Sequence, residues 1–328
     1  MTSTTSGDAG SSAVRDLKSS DRGAVVDAGF RWLAFSAAVT ILVVLGLIAW
    51  ASVNRAWPAF AQEGIRFVTS SRWAPSADSF GALTMVYGTV VVSTIALLSA
   101  VPVSIGIALF TAEVAPRRLQ TIIVFVIDLL AAVPSVVYGL WGILFVAPNL
   151  TGVYGWLSEV FGGWPVIGPL FAGGAGSGRS FMTAGLILAL MVTPIITSVS
   201  REVLATVPQG EKDAALALGA TRWEMIRGAV LPHSFGGMVG ATMLGLGRAM
   251  GETIAVALVI GSSYQITSHL FASGSAMPAT IALEWGESSG VHRSALIGLG
   301  VVLFLATVVV NSLARTVVTR AERRMRGA

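Results

Sequence analysis

Six long apolar runs constrain the fold of this sequence more than any other feature. A helix rises about 1.5 Å per residue, so roughly 20 apolar residues cross the hydrocarbon layer of a bilayer. With 54% hydrophobic and only 12% charged residues, the chain also lies outside the usual composition of soluble proteins. The runs are Phe30–Val53, Ala82–Ala112, Leu119–Ala147, Phe181–Ser200, Ser234–Ser262 and Ser294–Ala314.

These runs predict an all-α, polytopic membrane protein with six transmembrane helices. Strands of a membrane barrel would alternate apolar and polar residues, and the runs do not. Residues 1–29, rich in Ser, Thr, Gly and Asp, predict a disordered cytoplasmic tail. A transmembrane domain follows over 30–320, with a long inside loop over 201–233, and a basic cytoplasmic tail closes the chain over 321–328. The semi-apolar stretch Trp156 to Phe171 leaves a seventh span open.

The basic residues indicate the orientation of the spans. If the N-terminus is cytoplasmic, 15 of the 21 basic residues lie on inside segments and five lie outside, which fits the positive-inside rule with both termini in the cytoplasm. The five outside are Arg55, Arg66, Arg72, Arg179 and Arg293, and Arg248 belongs to neither side. Because the basic residues form no folded basic domain, they do not predict binding of nucleic acid.

Several chemistries are excluded by missing residues. There is no cysteine, and the only lysines, Lys18 and Lys212, do not follow a glycine, so the chain has no phosphate loop for ATP hydrolysis. The three histidines have no ligand partner at helical spacing, and no Gly-x-Ser-x-Gly elbow is present. The sequence therefore predicts a non-catalytic chain without a metal site or cofactor.

The inside loop contains residues that typically begin and end helices. Val207-Pro208 can open a short helix through Leu218, with Gly219 at the position that favours a left-handed residue. Thr221 precedes Glu224 by three residues, a capping-box spacing that predicts a second helix. That second helix would run to Leu231-Pro232. Ala214, Ala215 and Leu218 would form a small apolar face on the first helix, able to pack on a partner or on the chain's own bundle.

Two charged residues lie in the middle of the fifth run. Arg248 is fourteen residues from each end of Ser234–Ser262, about 21 Å of helix, so its head cannot easily reach water. Glu252 follows four residues later, one turn away on the same predicted helix face. Inserting an arginine at the middle of a membrane costs ~2.5–3.5 kcal/mol on insertion scales, so a charged residue there indicates a functional site. The pair either lines a substrate path or forms a structural ion pair that locks the bundle.

The inside loop resembles the EAA motif of the permeases of ABC transporters. The motif is Glu-Ala-Ala, three residues, Gly, nine residues, Ile, one residue, Leu-Pro, and every spacing is kept here. Aspartate replaces its glutamate, and Ala229 replaces its isoleucine. The matching residues, predicted to couple to the ATPase, are Asp213, Ala214, Ala215, Gly219, Leu231 and Pro232. The resemblance implies a type I ABC importer permease whose first loop helix inserts into a groove of a cytoplasmic ATPase.

Two further segments resemble the phosphate-transport permease family PstC. They are the runs from Asp128 to Gly142 and from Gly247 to Val256. The resemblance implies translocation of inorganic phosphate across the cytoplasmic membrane, with Arg248 and Glu252 on the substrate path. It also implies three partners: a PstA-like second permease, two copies of a PstB-like ATPase, and an extracytoplasmic PstS-like phosphate-binding protein.

Two alternatives to the phosphate permease stay open from the sequence. Within the class, the substrate could be another oxyanion such as molybdate or sulfate. A phosphate that keeps a proton can donate a hydrogen bond to Glu252, whereas sulfate cannot. Outside the class, a secondary transporter could couple to protons through Glu252 and Asp128, but it would not need the helical loop from Val207 to Pro232. Asp128 is otherwise predicted to make a bundle-stabilising hydrogen bond.

Overall fold

The computed structural model describes residues 21–173 and 176–326, and the chain divides into two compact units, Met1–Asn54 and Arg55–Ala328. Two short antiparallel strands, β1 (Trp73–Ala74) and β2 (Ser79–Phe80), interrupt the helices. The helices are α1 (Asp21–Glu63), α2 (Arg66–Thr69), α3 (Leu83–Leu109), α4 (Arg117–Ala132), α5 (Ser135–Trp141), α6 (Ala147–Phe161), α7 (Gly168–Phe171), α8 (Phe181–Ala205), α9 (Gln209–Ala217), α10 (Arg222–Met225), α11 (Leu231–Gly251), α12 (Ile254–Val259), α13 (Met277–Glu284) and α14 (Gly290–Arg326).

Six helical stretches in the described part of the chain are long and apolar enough to cross a membrane. The prediction of an all-α, six-span protein is confirmed. Two π-helical turns, Gly142–Val146 and Ile226–Val230, join neighbouring helices into these stretches, and a third, Phe110–Val114, ends the second stretch. The six are Val26–Glu63, Leu83–Val114, Ser135–Phe161, Phe181–Ala205, Arg222–Gly251 and Gly290–Leu313.

Helix α8 is the most buried of the spans and packs against α3 and α11. It begins at Ser180, whose hydroxyl accepts a hydrogen bond from the Thr183 N–H at 3.2 Å. Glycines allow the close approach of its neighbours. A Cβ at Gly185 would lie 2.4 Å from Ile95 of α3, and one at Gly245 of α11 would lie 2.6 Å from Ile196. Small residues at helix contacts are the usual means of close packing in membranes.

The third predicted run, Leu119–Ala147, does not form a single helix. Helix α4 ends at Ala132, Val133 and Pro134 are extended, and a new helical stretch begins at Ser135. Proline lacks an N–H and disfavours helical geometry in the residue before it, so the chain breaks there. The spanning stretch is Ser135–Phe161, which starts and ends later in the chain than the predicted run Leu119–Ala147.

The fifth predicted run is wrong at both ends. Instead of ending at Leu231-Pro232, the loop's second helix continues into the span over Arg222–Gly251. The π turn just before Pro232, in which the Leu231 N–H donates to the Ile226 carbonyl, carries the helix through a residue that has no N–H. At the other end the helix stops at Gly251, eleven residues before Ser262, and α12 follows as a separate short helix.

Helices extend into both predicted tails. Residues 1–20 of the predicted N-terminal tail lie outside the described residues, but 21–29 are helical and belong to α1. At the C-terminus, α14 extends to Arg326, so most of the predicted basic tail over 321–328 continues the last helix. The final two residues lie outside the described part.

A polar cluster fixes the connections at the end of the bundle where α8 begins. The carboxylate of Glu284, at the end of α13, is bound by Trp73 Nε1 at 3.0 Å and His292 Nε2 at 2.8 Å. The Tyr264 hydroxyl also donates to it. Burial, and then the hydrogen bond and negative charge of Glu284, raise the pKa of Tyr264. The cluster ties the β1–β2 hairpin to α13 and the start of α14.

Candidate functional site

The two segments that carry the PstC resemblance contact each other at their helix breaks. Gly139 of α5 lies against Ala255 of α12, where a Cβ on the glycine would be 2.9 Å from the alanine Cα. Gly142 lies in the same way against Val259, at 2.7 Å from its Cγ1. Two interrupted helices therefore meet inside the bundle. Broken helices at membrane depth are tolerated where they are buried in protein or line a cavity.

Glu252 lies in the break between α11 and α12 and does not pair with Arg248. Its φ of −70° is still helical but its ψ of 128° is extended, so α11 ends here and the chain changes direction after this residue. Its Oε1 instead accepts a hydrogen bond from the Ala255 N–H at 3.3 Å. The described residues contain no ion pair between Arg248 and Glu252.

The Glu252 carboxylate lines a small cavity of about 10 Å³ between α3, α11, α12 and α13. Thr89 and Ser93 of α3 lie on its wall. The Ser93 hydroxyl oxygen is buried and has no hydrogen-bond partner among the described residues. Buried polar groups are normally satisfied, so this oxygen is a vacant donor and acceptor close to Glu252. Ser93 is a site residue that sequence reasoning missed, because one serine in an apolar run carries no spacing signal.

Arg248 has different surroundings, because its side chain is exposed on the surface of the single chain. The glycines around Arg248 also have free space at the position where a side chain would begin. A Cβ added at Gly240, Gly247 or Gly251 would meet nothing within 4 Å. A charged guanidinium within a span is costly in lipid and is found facing a polar cavity or protein. This surface of α11 is therefore suited to face a polar cavity or another protein rather than lipid.

Asp128 is a second charged residue exposed within an apolar segment. It lies on α4 and lines a small cavity together with Arg201 and Thr197 of α8. The bundle-stabilising hydrogen bond predicted for Asp128 is not formed with any described residue. Its exposure resembles that of Arg248, and both side chains are open to the surroundings of this single chain.

The inside loop has the predicted helix–turn–helix geometry. Helix α9 runs over Gln209–Ala217, and Gly219 has a φ of +89°, the left-handed conformation expected of it. The Gly219 N–H bonds to the Leu216 carbonyl at 3.0 Å and the Ala220 N–H to the Ala215 carbonyl at 3.2 Å, which is a Schellman motif. The capping box is also confirmed, since Thr221 and Glu224 bond each other's backbone N–H.

The two faces of α9 differ from the predicted pattern. Asp213, Ala214 and Leu218 are exposed, and the Leu218 side chain is 90% exposed. Ala215 instead packs against an apolar cluster of the bundle that includes Leu204, Val207 and Ile226. Ala215 therefore packs on the chain's own bundle, one of the two predicted options, while Ala214 and Leu218 stay exposed. Of the last two motif residues, Leu231 packs on the same cluster and Pro232 is exposed.

No pattern in the sequence predicts one of the contacts between the inside loop and the bundle. Lys212 of α9 forms an ion pair with Glu113, where Nζ lies 2.6 Å from Oε1. Both side chains are nearly buried, with exposures of 13% and 7%. Glu113 lies in the π turn that ends the second span, 99 residues away in the chain. Only folding brings the two charges together.

The six spans, the interrupted helices and the helical inside loop define the class of the protein. Residues 104–327 match the family described as "Binding-protein-dependent transport system inner membrane component", and the chain belongs to that family of multi-pass permeases. A crystal structure of a bacterial alginate ABC transporter with its periplasmic protein has the same fold. It matches with a TM-score of 0.60 and 17% identity over 90% of this chain and 97% of its own.

Within that class, the chain belongs to the PstC family. It is 42% identical over 305 residues to the phosphate transport system permease protein PstC of Mesorhizobium japonicum, covering 92% of this chain and 93% of the relative. It is 41% identical over 297 residues to PstC 2 of Mycobacterium tuberculosis, covering 88% and 90%. These alignments include both broken-helix segments and the inside loop.

Proposed function

We propose that this chain is the permease subunit of an ATP-driven importer that moves inorganic phosphate across the cytoplasmic membrane. The observation that carries the proposal is its identity of 38–42% with PstC proteins over about nine-tenths of its length. Both termini are cytoplasmic in this proposal, which rests on the 15 to 5 distribution of basic residues. The chain itself does not hydrolyse ATP.

The proposed complex supplies what this chain lacks. A PstA-like permease covers the exposed surface of α11 and α4, where Arg248 and Asp128 would otherwise face lipid at a cost. Two copies of a PstB-like ATPase drive the cycle, one of them on the exposed face of α9. A PstS-like binding protein delivers phosphate to the opposite side.

Arg248 and Glu252 line the substrate path in this proposal. The guanidinium of Arg248 has no ion-pair partner among the described residues, so its planar set of donors is available for a tetrahedral oxyanion. Glu252 has one carboxylate oxygen bound to the Ala255 N–H and the other unoccupied by any described donor. That second oxygen can accept a hydrogen bond from a phosphate that still carries a proton. Ionised sulfate has no proton to donate.

Alternating access is the mechanism we propose, and the placement of these parts supports it. The α9 loop packs on those ends of α3, α8 and α11 that are cytoplasmic in this proposal, and the broken segments at Gly139 and Ala255 lie farther along the same bundle. Movement of the ATPases against α9 would therefore tilt the spans that carry Arg248 and Glu252. The breaks at Pro134 and Glu252 are the points where backbone angles can change without unfolding a helix.

The test of the function is phosphate uptake by the complete four-component transporter in proteoliposomes. We expect uptake that requires ATP on the α9 side, persists when the proton gradient is collapsed, and is not competed by an excess of sulfate or molybdate. Uptake of sulfate or molybdate in place of phosphate would reassign the substrate within the class. Uptake that ignores ATP and stops with the proton gradient would overturn the proposal.

A further inference from the structure

The ion pair between Lys212 and Glu113 is unusual among the charged contacts of this chain. The other two ion pairs of the described residues, His233–Glu211 and His292–Glu284, depend on a protonated histidine. Lys212 and Glu113 carry full opposite charges and are nearly buried, at 2.6 Å. A buried charge without its partner is strongly unfavourable, so this contact fixes one geometry far more sharply than the apolar packing around it.

The pair joins two elements that the chain does not connect directly. Lys212 and Ala215 are three residues apart on the inward face of α9, opposite the exposed residues Ala214 and Leu218. Apolar contacts such as that of Ala215 are non-directional, so they allow α9 to shift along the surface of the bundle. The charge pair is the one directional contact between α9 and the end of the second span in the described structure.

The second span leads from this contact to the intramembrane break. Glu113 ends the helical stretch Leu83–Val114, and Ser93 on the same stretch lines the cavity at Glu252. Twenty residues of helix separate Ser93 from Glu113, a rod of about 30 Å. A displacement of α9 that is passed to Glu113 therefore reaches the wall of the cavity at Glu252 through one continuous helix.

We infer that Lys212 and Glu113 are positioning residues that transmit the movement of α9 to the second span and so couple ATP hydrolysis to phosphate movement. The inference rests on the proposed function, because it requires α9 to bind the ATPase. It differs from docking itself: the pair faces inward, away from the exposed surface of α9. Loss of the pair should uncouple the transporter and leave the ATPase bound.

The experiment compares phosphate moved per ATP hydrolysed in the complete transporter. Lys212→Gln and Glu113→Gln should each keep the ATPase in the purified complex and keep ATP hydrolysis. The ratio of phosphate to ATP should fall about tenfold, which is within the usual range of coupling between protein sites. The exchanged pair Glu113→Lys with Lys212→Glu should restore most of that ratio. Arg118→Gln, an exposed cation near the same helix end, is the control and should keep the wild-type ratio.

A second measurement keeps the test valid if a single variant fails to assemble. The chain has no cysteine, so Glu113→Cys with Lys212→Cys gives a unique pair that carries no unpaired buried charge. Joining the two thiols with a short bifunctional maleimide should raise the phosphate to ATP ratio above that of the unjoined pair. Single variants with the wild-type ratio, or an exchanged and a cross-linked pair that both stay uncoupled, would overturn the inference. Failure of the wild-type complex to bind ATPase or to move phosphate would instead contradict the proposed function.

Discussion

Arg248 is the residue whose chemistry is most open to a direct test. Arg248→Lys keeps the positive charge but loses the planar fork of donors that suits an oxyanion. A hydrogen bond to a charged group contributes about 1.5–3 kcal/mol, so we expect phosphate uptake to fall about 10–100-fold. The measurement is uptake in vesicles where assembly and ATP hydrolysis are first shown to be intact. Uptake at the wild-type rate would remove Arg248 from the substrate path.

Glu252 is expected to contribute to the preference of the transporter for phosphate over sulfate. Glu252→Gln keeps the size of the side chain but turns a pure acceptor into an amide with both donor and acceptor groups. The variant should lose part of the preference for protonated phosphate, about tenfold if one hydrogen bond of ~1.4 kcal/mol is involved. Phosphate uptake is measured with sulfate as competitor. An unchanged preference would leave Glu252 with only its backbone contact to Ala255.

The helix–turn–helix loop shows how one element can present two functional faces. Ala214 and Ala215 are adjacent in the EAA motif, yet the first is exposed and the second packs on the bundle. Ala214→Glu should release the ATPase from an intact membrane subunit, because it places a charge on the outward face. Ala215→Glu should instead disturb the loop's attachment to the bundle and lower the yield of folded protein. Co-purification of the ATPase and of the partner permease separates the two outcomes; equal effects of both variants would contradict this assignment of faces.

The turn of the same element depends on Gly219. Its φ of +89° is strained for any other residue, although a Cβ there would meet no atom within 4 Å. Gly219→Pro cannot adopt this angle and should abolish transport by displacing α9. Gly228→Ala is a control, because that glycine is exposed, has open space around it and has no positive φ. ATPase retention and uptake are measured for both; a functional Gly219→Pro variant would show that the turn is dispensable.

The orientation of the whole molecule follows from the charge distribution and can be tested with single cysteines in the cysteine-free chain. Ser177→Cys should react with an impermeant maleimide from outside intact cells. Ala328→Cys should react only after the membrane is opened. Detergent-solubilised protein, in which both sites are accessible, calibrates the labelling. Reaction of Ser177→Cys from the cytoplasmic side alone would require a different number or order of spans.

At the scale of the whole chain, the sequence by itself determined the class, the number of spans and the local geometry of the inside loop. These depend on run length, residue type and short spacings, such as the φ of Gly219 and the Thr221–Glu224 box, which act within a few residues. Proline effects were harder to predict. Pro134 breaks its helix, whereas Pro102 and Pro194 lie inside continuous helices and Pro232 follows a π turn.

Only the tertiary structure decided which side chains meet. Arg248 and Glu252 are four residues apart, yet Arg248 is exposed on the surface of the chain and Glu252 binds the Ala255 N–H beyond the end of α11. Lys212 and Glu113 pair across 99 residues, and Ser93 reaches the cavity at Glu252 from nearly half of the chain away. Spacing rules describe neighbours within one helix; contacts between helices depend on packing, which no local pattern records.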